Sequence, residues 1–527
     1  MNLFSFRQLL AISLATGCFL FAYGQDKNSF DYPLNIPDTG VSTTLTTAEL
    51  PKPLKYGWDN RYLTNHLPQR YNSLPAPEAT KQKAKTLSIH EALMLALRYS
   101  STIANSDISL VTSKFSHETT QSHLYPQISD LDVSFSSSEG TSTTSLGTTT
   151  ASLKTRYGGE YSVSYSNTGL GSGGTSTYSF NLTQPLLRGL GKVADLPYIQ
   201  SDRNYKIALM TYKSNVISLV DSVTTGYWGL IESELSYKNT LHSYNDTKDS
   251  VRRSRLEYKA GQSSKSTLIE AEASLASTKN QVVSQLQSLQ QTYTSYLQTI
   301  GLNIYSNISI DTTIVDKKVK LPTLKECIER ALKNNISYQT TLMQLQTSQE
   351  AILSARDARL WQVNLTAGYS NTLTSSTGTV STTQHPLSVG LSLDIPINDI
   401  DSQNSLIAAR AAYEEAKITA QNDKLTLIRN VTQTYRNIKT SYEAVGIAKR
   451  SVKLSQEVLN NAKLQLRYGQ TTMFEVNTDR TSLLSAQNTL VSNQVSYLKN
   501  VQSLYDYMSD TLDFWHITLK DLPDVLR

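Results

Sequence analysis

An apolar residue recurs at every seventh position along two long stretches of this chain, and nothing else in the sequence restricts its fold as tightly. Leu209, Val216, Val223, Leu230, Tyr237, Tyr244 and Val251 keep the period on the way to a glycine, Gly261. Beyond it Leu268, Leu275, Val282, Leu289 and Tyr296 resume the same spacing. A seven-residue period selects helices that wind around one another with a left-handed twist, because it falls short of two full α-helical turns. No proline interrupts residues 198–321 or 397–522. An outgoing helix of about 60 residues would run ~90 Å, far beyond the width of a compact domain.

The pattern occurs twice. At an offset of 208 residues, Val476, Leu483, Leu490, Tyr497 and Leu504 replace the returning series, and Gly469-Gln470 replaces Gly261-Gln262. Ala96-Leu97-Arg98-Tyr99-Ser100 aligns with Ala331-Leu332-Lys333-Asn334-Asn335, and Pro185 with Pro396, at offsets of 235 and 211. An internal repeat is therefore expected, with residues 86–310 and 311–513 as the two copies. Each copy would hold a moderate helix, strands (128–184 and 363–395), and a long helical hairpin with its tip near 261 or 469. Pro185 and Pro396 mark strand-to-helix corners, and the larger insertion falls in the first copy.

The strand segments alternate. Leu387, Val389, Leu391, Leu393 and Ile395 interleave with Ser388, Gly390, Ser392 and Asp394, and Val363, Leu365, Ala367 and Tyr369 do likewise. Leu131, Val133 and Phe135, then Tyr178, Phe180 and Leu182, repeat the pattern in the first copy. One apolar and one polar face fits a barrel strand between lipid and water, and fits a half-buried soluble sheet equally. Residues 140–150, 167–177 and 371–384 read as polar external loops, and residues 153–165 as an extra hairpin or a folded-over loop.

The N-terminus, with the Ser/Thr-rich polar face of the strands, favours the membrane. Arg7 precedes an apolar run over residues 9–22 that is too short to span a bilayer. Ala22-Tyr23-Gly24 offers small residues for cleavage, so residues 1–24 read as a signal peptide. A rival reading lipidates Cys18 after Ala15-Thr16-Gly17, but it leaves a very short apolar region and an apolar continuation. Residues 25–85 form a polar extension carrying seven of the 14 prolines, and residues 514–527 a C-terminal tail. With no later stretch of 18 apolar residues, an exported membrane protein of this sequence must cross as a barrel. The expected fold class is a mixed membrane protein, an outer-membrane β-barrel continued by a long periplasmic coiled-coil α-helical barrel.

Catalytic and ligand motifs are missing. Gly169-Leu170-Gly171-Ser172-Gly173-Gly174 has dinucleotide-like spacing but stands among strand and loop residues rather than between a strand and a helix. No His/Cys/carboxylate cluster has metal spacing, and no nucleophile elbow occurs. The net charge of +5 is scattered, without the basic stripe that nucleic acid requires. The expectation is no enzyme, no cofactor, no metal and no nucleic-acid partner.

These features together resemble the TolC family of outer-membrane efflux and secretion channels. The resemblance rests on Glu91-Ala92-Leu93-Met94-Leu95-Ala96-Leu97, echoed by Glu326-Cys327-Ile328-Glu329-Arg330-Ala331-Leu332, and on Gln184-Pro185-Leu186-Leu187-Arg188-Gly189. Tyr258-Lys259-Ala260-Gly261-Gln262-Ser263 and Arg467-Tyr468-Gly469-Gln470-Thr471-Thr472 complete it. It covers roughly residues 86–513. It implies a homotrimer whose protomers share one barrel, set in outer-membrane lipid, with a periplasmic adaptor and an inner-membrane transporter as partners. It places Gly261, Gln262, Ser263, Gly469, Gln470 and Thr471 at the adaptor contact. Family gate carboxylates fall on Glu475 and Thr478; the second departs from the pattern, although Asp479 adjoins it. The implied function is the passive, tip-gated exit duct of a tripartite efflux or type I secretion system. The alternative is a secreted coiled-coil or filament protein, which needs neither the signal peptide nor apolar-faced strands.

Overall fold

The computed structural model describes residues 85–129, 133–138, 141–168, 174–304, 306, 308–314, 318–376, 379–395, 397 and 399–517. All lie in one compact unit, Asn60–Arg527; the other, Met1–Asp59, falls outside the described residues. Outside them too lie the expected signal peptide with Cys18, almost all of the proline-rich extension, Pro396, residues 169–173 and the end of the tail.

A short strand β1 (Lys85–Leu87) leads into α1 (Ile89–Tyr99) and α2 (Ser101–Ser122). Helix α1 begins where Ser88 accepts from the Glu91 backbone N–H while Glu91 reaches back to the Ser88 N–H, a reciprocal cap that satisfies two otherwise orphaned donors. Its apolar positions Ala92, Leu93, Ala96 and Leu97 are buried on one face. The single moderate helix expected from the sequence is in fact two. The Ser100 N–H still bonds Ala96 O at 2.9 Å, but its ψ of 130° turns the chain and its hydroxyl caps α2. A short polar side chain competing for backbone donors stops one helix and starts the next.

The same construction returns 235 residues later. Thr323 and Glu326 form the reciprocal cap of α5 (Leu324–Asn334), and Asn335 ends it and caps α6 (Ile336–Asp357) through the Tyr338 N–H. In the first half, helices of 11 and 22 residues precede α3 (Lys192–Lys259, 68 residues) and α4 (Lys265–Thr299, 35 residues). In the second, helices of 11 and 22 residues precede α7 (Ile400–Arg467, 68 residues) and α8 (Met473–Met508, 36 residues). A helix of 68 residues runs ~100 Å. One proline, Pro197, is built into the second turn of α3 rather than preceding it. A four-residue helix α9 (Thr511–Phe514) follows α8.

Between the helices lies one antiparallel sheet. It comprises β2 (Gln127–Ser129), β3 (Val133–Ser138), β4 (Thr141–Lys154), β5 (Glu160–Thr168), β6 (Thr175–Pro185), β8 (Gln362–Ser376) and β9 (Thr379–Asp394). The order is β2-β4-β5-β6-β8-β9, with β3 also on β4. Strand β7 (Ile308–Ile310) instead pairs in parallel with β1. Residues 153–165 form a hairpin, β4 turning into β5 through a loop closed by the Thr155 N–H on Gly159 O at 2.8 Å.

Two expected external loops are strands. Residues 141–150 belong to β4, and 371–376 and 379–384 extend β8 and β9 to 15 and 16 residues. Their runs of Ser and Thr lack an apolar face and so read as loop. The β-branched threonine nevertheless favours extended backbone, and ladder bonds between neighbouring strands satisfy it. Of residues 167–177, the ends at 167–168 and 175–177 are likewise strand.

The helices bury the heptad seam. Val216, Val223, Leu230 and Val251 are buried on α3, as are Tyr296 on α4 and Val476, Leu483, Tyr497 and Leu504 on α8. Each such aliphatic side chain contributes ~1.5–3 kcal/mol when fully buried. One cluster joins α1, α3 and α4 through Leu93, Val220, Tyr296, Leu297 and Ile300. A second joins α5, α7 and α8 through Cys327, Val431, Val501 and Met508. A third, Leu459, Ala462, Val476 and Leu483, lies towards the second hairpin's tip.

Candidate functional site

Both long hairpins turn by the same device. At the end of α3 the Gly261 N–H bonds Tyr258 O (3.0 Å) and the Gln262 N–H bonds Glu257 O (2.9 Å). At the end of α7 the Gly469 N–H bonds Leu466 O (3.1 Å) and the Gln470 N–H bonds Gln465 O (2.9 Å). This double closure requires a left-handed residue after the cap, and Gly261 and Gly469 supply it with φ of 70° and 69°. Three residues on, Ser264 caps α4 through the Thr267 N–H and Thr472 caps α8 through the Glu475 N–H.

The structure brings most of the expected tip residues to one cleft of about 580 Å³. Gln262, Ser263, Gly469 and Thr471 line it, joined by Arg253 and Glu257 from α3 and by Lys463 and Arg467 from α7. Gly261 and Gln470 are exposed at the turns themselves. Sequence reasoning gave no role to two exposed aromatics here, Tyr468 (78%) and Phe474 (73%), whose signal was an apolar ring placed outside the heptad seam.

Glu475, Thr478 and Asp479 share one face of α8 but are engaged differently. Glu475 sits in the first turn, exposed, and accepts a hydrogen bond from the Thr471 hydroxyl. A carboxylate there also faces the positive end of the helix. Thr478 spends its hydroxyl on Phe474 O at 3.0 Å. Asp479 lines a separate, shallower groove with Ile447, Arg450, Leu454 and Val458.

A residue no motif indicated bridges the two hairpins. Arg480 is 5% exposed and sits between Val476 and Leu483 in the seam. Its guanidinium donates to Asn477 Oδ1 (2.8 Å), Ser250 Oγ (3.0 Å) and Thr247 Oγ1 (3.3 Å), the last two on α3. Burial pulls its pKa below the usual arginine range, against the opposing effect of Asp246. Lys463 to Asp246 (3.1 Å) and Asn239 to Asn488 (3.1 Å) bridge the same pair of hairpins. A charge at a seam position was the legible sign of Arg480.

At the other end of the long helices, β6 ends at the expected corner. Pro185 pairs with Asn364, and the Leu186 N–H bonds Val363 O at 2.7 Å. The Gly189 N–H donates to Asp357 Oδ2 (2.8 Å) at the end of α6. The sheet shows two unlike faces. Val163, Phe180 and Tyr369 stand in one cross-strand row, as do Leu365 and Leu391, and these side chains are exposed. The opposite face pairs hydroxyls, Thr177 with Thr372 (3.1 Å) and Ser179 with Ser370 (3.4 Å). Among the described residues, β9 has a partner on one side and β2 and β3 pair with β4 alone. No described helix is long and apolar enough to cross a membrane.

Residues 327–509 match the model of the outer membrane efflux protein family. This segment is similar to the outer membrane efflux proteins. The match spans α5 to α8, and it bears out the resemblance read from the sequence. Toxin and drug export protein A of Aggregatibacter actinomycetemcomitans is 26% identical over 201 residues, 37% of this chain and 42% of that protein. The aligned region thus spans about two fifths of that relative's length. The CmeC outer membrane channel of Campylobacter jejuni superposes with a TM-score of 0.64 at 15% identity, covering 94% of this chain and 99% of that one. The outer membrane protein VceC of Vibrio cholerae superposes with a TM-score of 0.62 at 12% identity, covering 80% and 96%. The fold is that of outer-membrane efflux channels, and the family is one of channels rather than enzymes.

Proposed function

We propose that this chain is the outer-membrane exit duct of a tripartite efflux or type I secretion system. The observation that carries the reading is the open sheet. It exposes an apolar face and, among the described residues, leaves its outer strands without further partners. In a bilayer, unpaired strand edges are untenable, so the sheet must close on further copies into a barrel. Three copies, as the resemblance implies, would share one outer-membrane barrel with hydroxyls inward. The two hairpins of each copy would extend into the periplasm as a helical conduit. The two halves, residues 86–310 and 311–513, act as structural copies, with Pro185 at the corner of the first.

The inter-tip cleft and the exposed Gly261, Gln262, Ser263, Gly469, Gln470 and Thr471 then form the adaptor contact, and an inner-membrane transporter delivers the cargo. Glu475, with Asp479 behind it and Thr478 between, supplies a ring of charge at the periplasmic opening, where it favours cations. Conductance in planar bilayers tests both levels. The wild-type protein is expected to form channels as a detergent-extracted trimer, and Glu475→Gln to lower cation selectivity. A water-soluble monomer without conductance would defeat the duct and favour the secreted coiled-coil protein. Conducting trimers with unchanged selectivity in the variant would defeat only the gate.

A further inference from the structure

The apolar face of the sheet does not run its full height, and it stops abruptly. Cross-strand rows read upward from the strand-to-helix corner carry Leu182, Ala367 and Val389, then Val163, Phe180 and Tyr369. The next row holds Tyr165, Tyr178 and Asn371, and the one above it Asn167, Ser176 and Leu373. We propose that a bilayer grips only the lower part of the sheet, between a collar at Trp361 and Tyr157 and a second at Tyr165 and Tyr178. The Ser/Thr-rich upper ends of β8 and β9 stand clear of it in water. This placement rests on the reading of the sheet as part of a membrane barrel.

Hydrogen bonds mark the upper boundary. The Asn167 side-chain amide donates to the Tyr165 hydroxyl (3.2 Å) and to Ser176 Oγ (3.0 Å). The Tyr165 and Tyr178 rings pack with centroids 4.7 Å apart, so two amphipathic rings stand with apolar residues below and a polar cluster above. Such rings take this position at a membrane–water interface. Beyond this row β8 reads Thr372-Leu373-Thr374-Ser375-Ser376, and β9 starts Thr379-Val380-Ser381-Thr382-Thr383. In hydrocarbon these hydroxyls would give up their hydrogen bonds with water for little apolar gain.

Three segments build the lower boundary where strands give way to helices. The Leu186 N–H bonds Val363 O (2.7 Å), the Gly189 N–H bonds Asp357 Oδ2 (2.8 Å), and the Gly191 N–H reaches Tyr157 O at 3.5 Å. Pinned together, they present Tyr157, Leu187 and Trp361 as exposed side chains, with the exposed cations Arg156, Arg188 and Arg359 among them. Trp361 lies two residues before Val363, in step with Val363, Leu365 and Ala367 along β8. Apolar rings mixed with guanidinium groups suit a phospholipid surface, whose phosphates accept bidentate bonds from arginine.

The spacing of the two collars matches a bilayer. The chain from Trp361 to Asn371 covers ~34 Å along a strand. At the ~40° tilt of barrel strands this is ~26 Å of height, against an apolar band of ~25 Å in such barrels. A bilayer reaching the end of β8, whose 15 residues run ~51 Å along the strand and ~39 Å in height, would have to exceed the usual hydrocarbon thickness of ~30 Å.

Fluorescence quenching by brominated phospholipids tests the placement, with the full-length protein reconstituted in vesicles. Trp361 is read as the difference between the wild type and Trp361→Phe, since Trp228 and Trp515 belong to the helical core. Leu365→Trp and Leu373→Trp are made in the Trp361→Phe background. Trp361 is expected to lose most signal to bromines near the headgroup and Leu365→Trp to bromines near the chain end, while Leu373→Trp loses little to either. Equal quenching of Leu373→Trp and Leu365→Trp would carry the hydrocarbon over the upper strands and overturn the inference. If Leu373→Trp does not fold, Tyr178→Trp decides: its greatest loss to headgroup bromines supports the upper boundary, and its greatest loss to chain-end bromines overturns it. The wrong quenching order in vesicles that conduct ions overturns the placement alone. Protein that neither conducts nor floats with the vesicles overturns the barrel reading along with it.

Discussion

Replacing Arg480 by methionine is the perturbation that most directly examines how the two hairpins are held together. Three hydrogen bonds are lost. Two of their acceptors, the Thr247 and Ser250 hydroxyls, also donate to the carbonyls of Ser243 (2.8 Å) and Asp246 (3.1 Å) in their own helix. They keep partners when the guanidinium leaves, and Asn477 is near enough to solvent to be rehydrated. Against these losses stands a charge that is 5% exposed and bonded to neutral groups. Removing the desolvation penalty of such an ion recovers several kcal/mol, and hydrophobic replacements of similar volume are often neutral or stabilising by ~1–4 kcal/mol. Methionine fills the space of the arginine stem between Val476 and Leu483. Arg480→Met should therefore leave the unfolding midpoint unchanged or raise it by ~1–3 °C. Arg480→Ala removes the stem as well and opens a gap in the seam, so it should be less stable than the methionine variant by ~2–3 kcal/mol. Differential scanning fluorimetry of the solubilised protein measures both. A methionine variant that melts more than ~3 °C below the wild type would show that the hydrogen bonds outweigh the buried charge, and the reasoning would fail.

Other outcomes follow from the same structure. Glu475→Gln keeps a side-chain oxygen to accept from Thr471, so the tip should fold normally and only ion selectivity in bilayers should change. Gly469→Ala meets no neighbouring atom but must hold a φ of 69°; it should cost ~1 kcal/mol, read as faster hydrogen exchange confined to the turn. Thr323→Ala removes the reciprocal cap of α5 and should lower stability by ~1 kcal/mol, while Thr323→Ser should restore most of it in the same melting assay.

Much of the helical part was legible because its determinants are local. A heptad period, the want of proline and a Gly-Gln turn dictate a long helix, its burying face and its end, and the seam residues Val216, Val223, Leu230 and Leu483 are buried as their spacing required. The reciprocal caps at Ser88–Glu91 and Thr323–Glu326 were equally readable, and were passed over. They would have placed the starts of α1 and α5 and shown that the 235-residue offset begins before the aligned segment. The sheet was less legible. Strand length there depends on cross-strand partners rather than on an apolar face, so the Ser/Thr runs at 141–150 and 371–384 were mistaken for loops.

The tip illustrates the division most clearly. The sequence alone determined that two helical hairpins turn at Gly261 and Gly469, since a left-handed cap is a property of a few consecutive residues. Only the tertiary structure decided that the two turns face one cleft, that Arg480 on one hairpin bonds Ser250 on the other, and that Asn239 meets Asn488. Those pairs lie more than 200 residues apart. No local pattern encodes such a meeting; the relative rotation of two packed helices does, and that is set by the whole length of their shared seam.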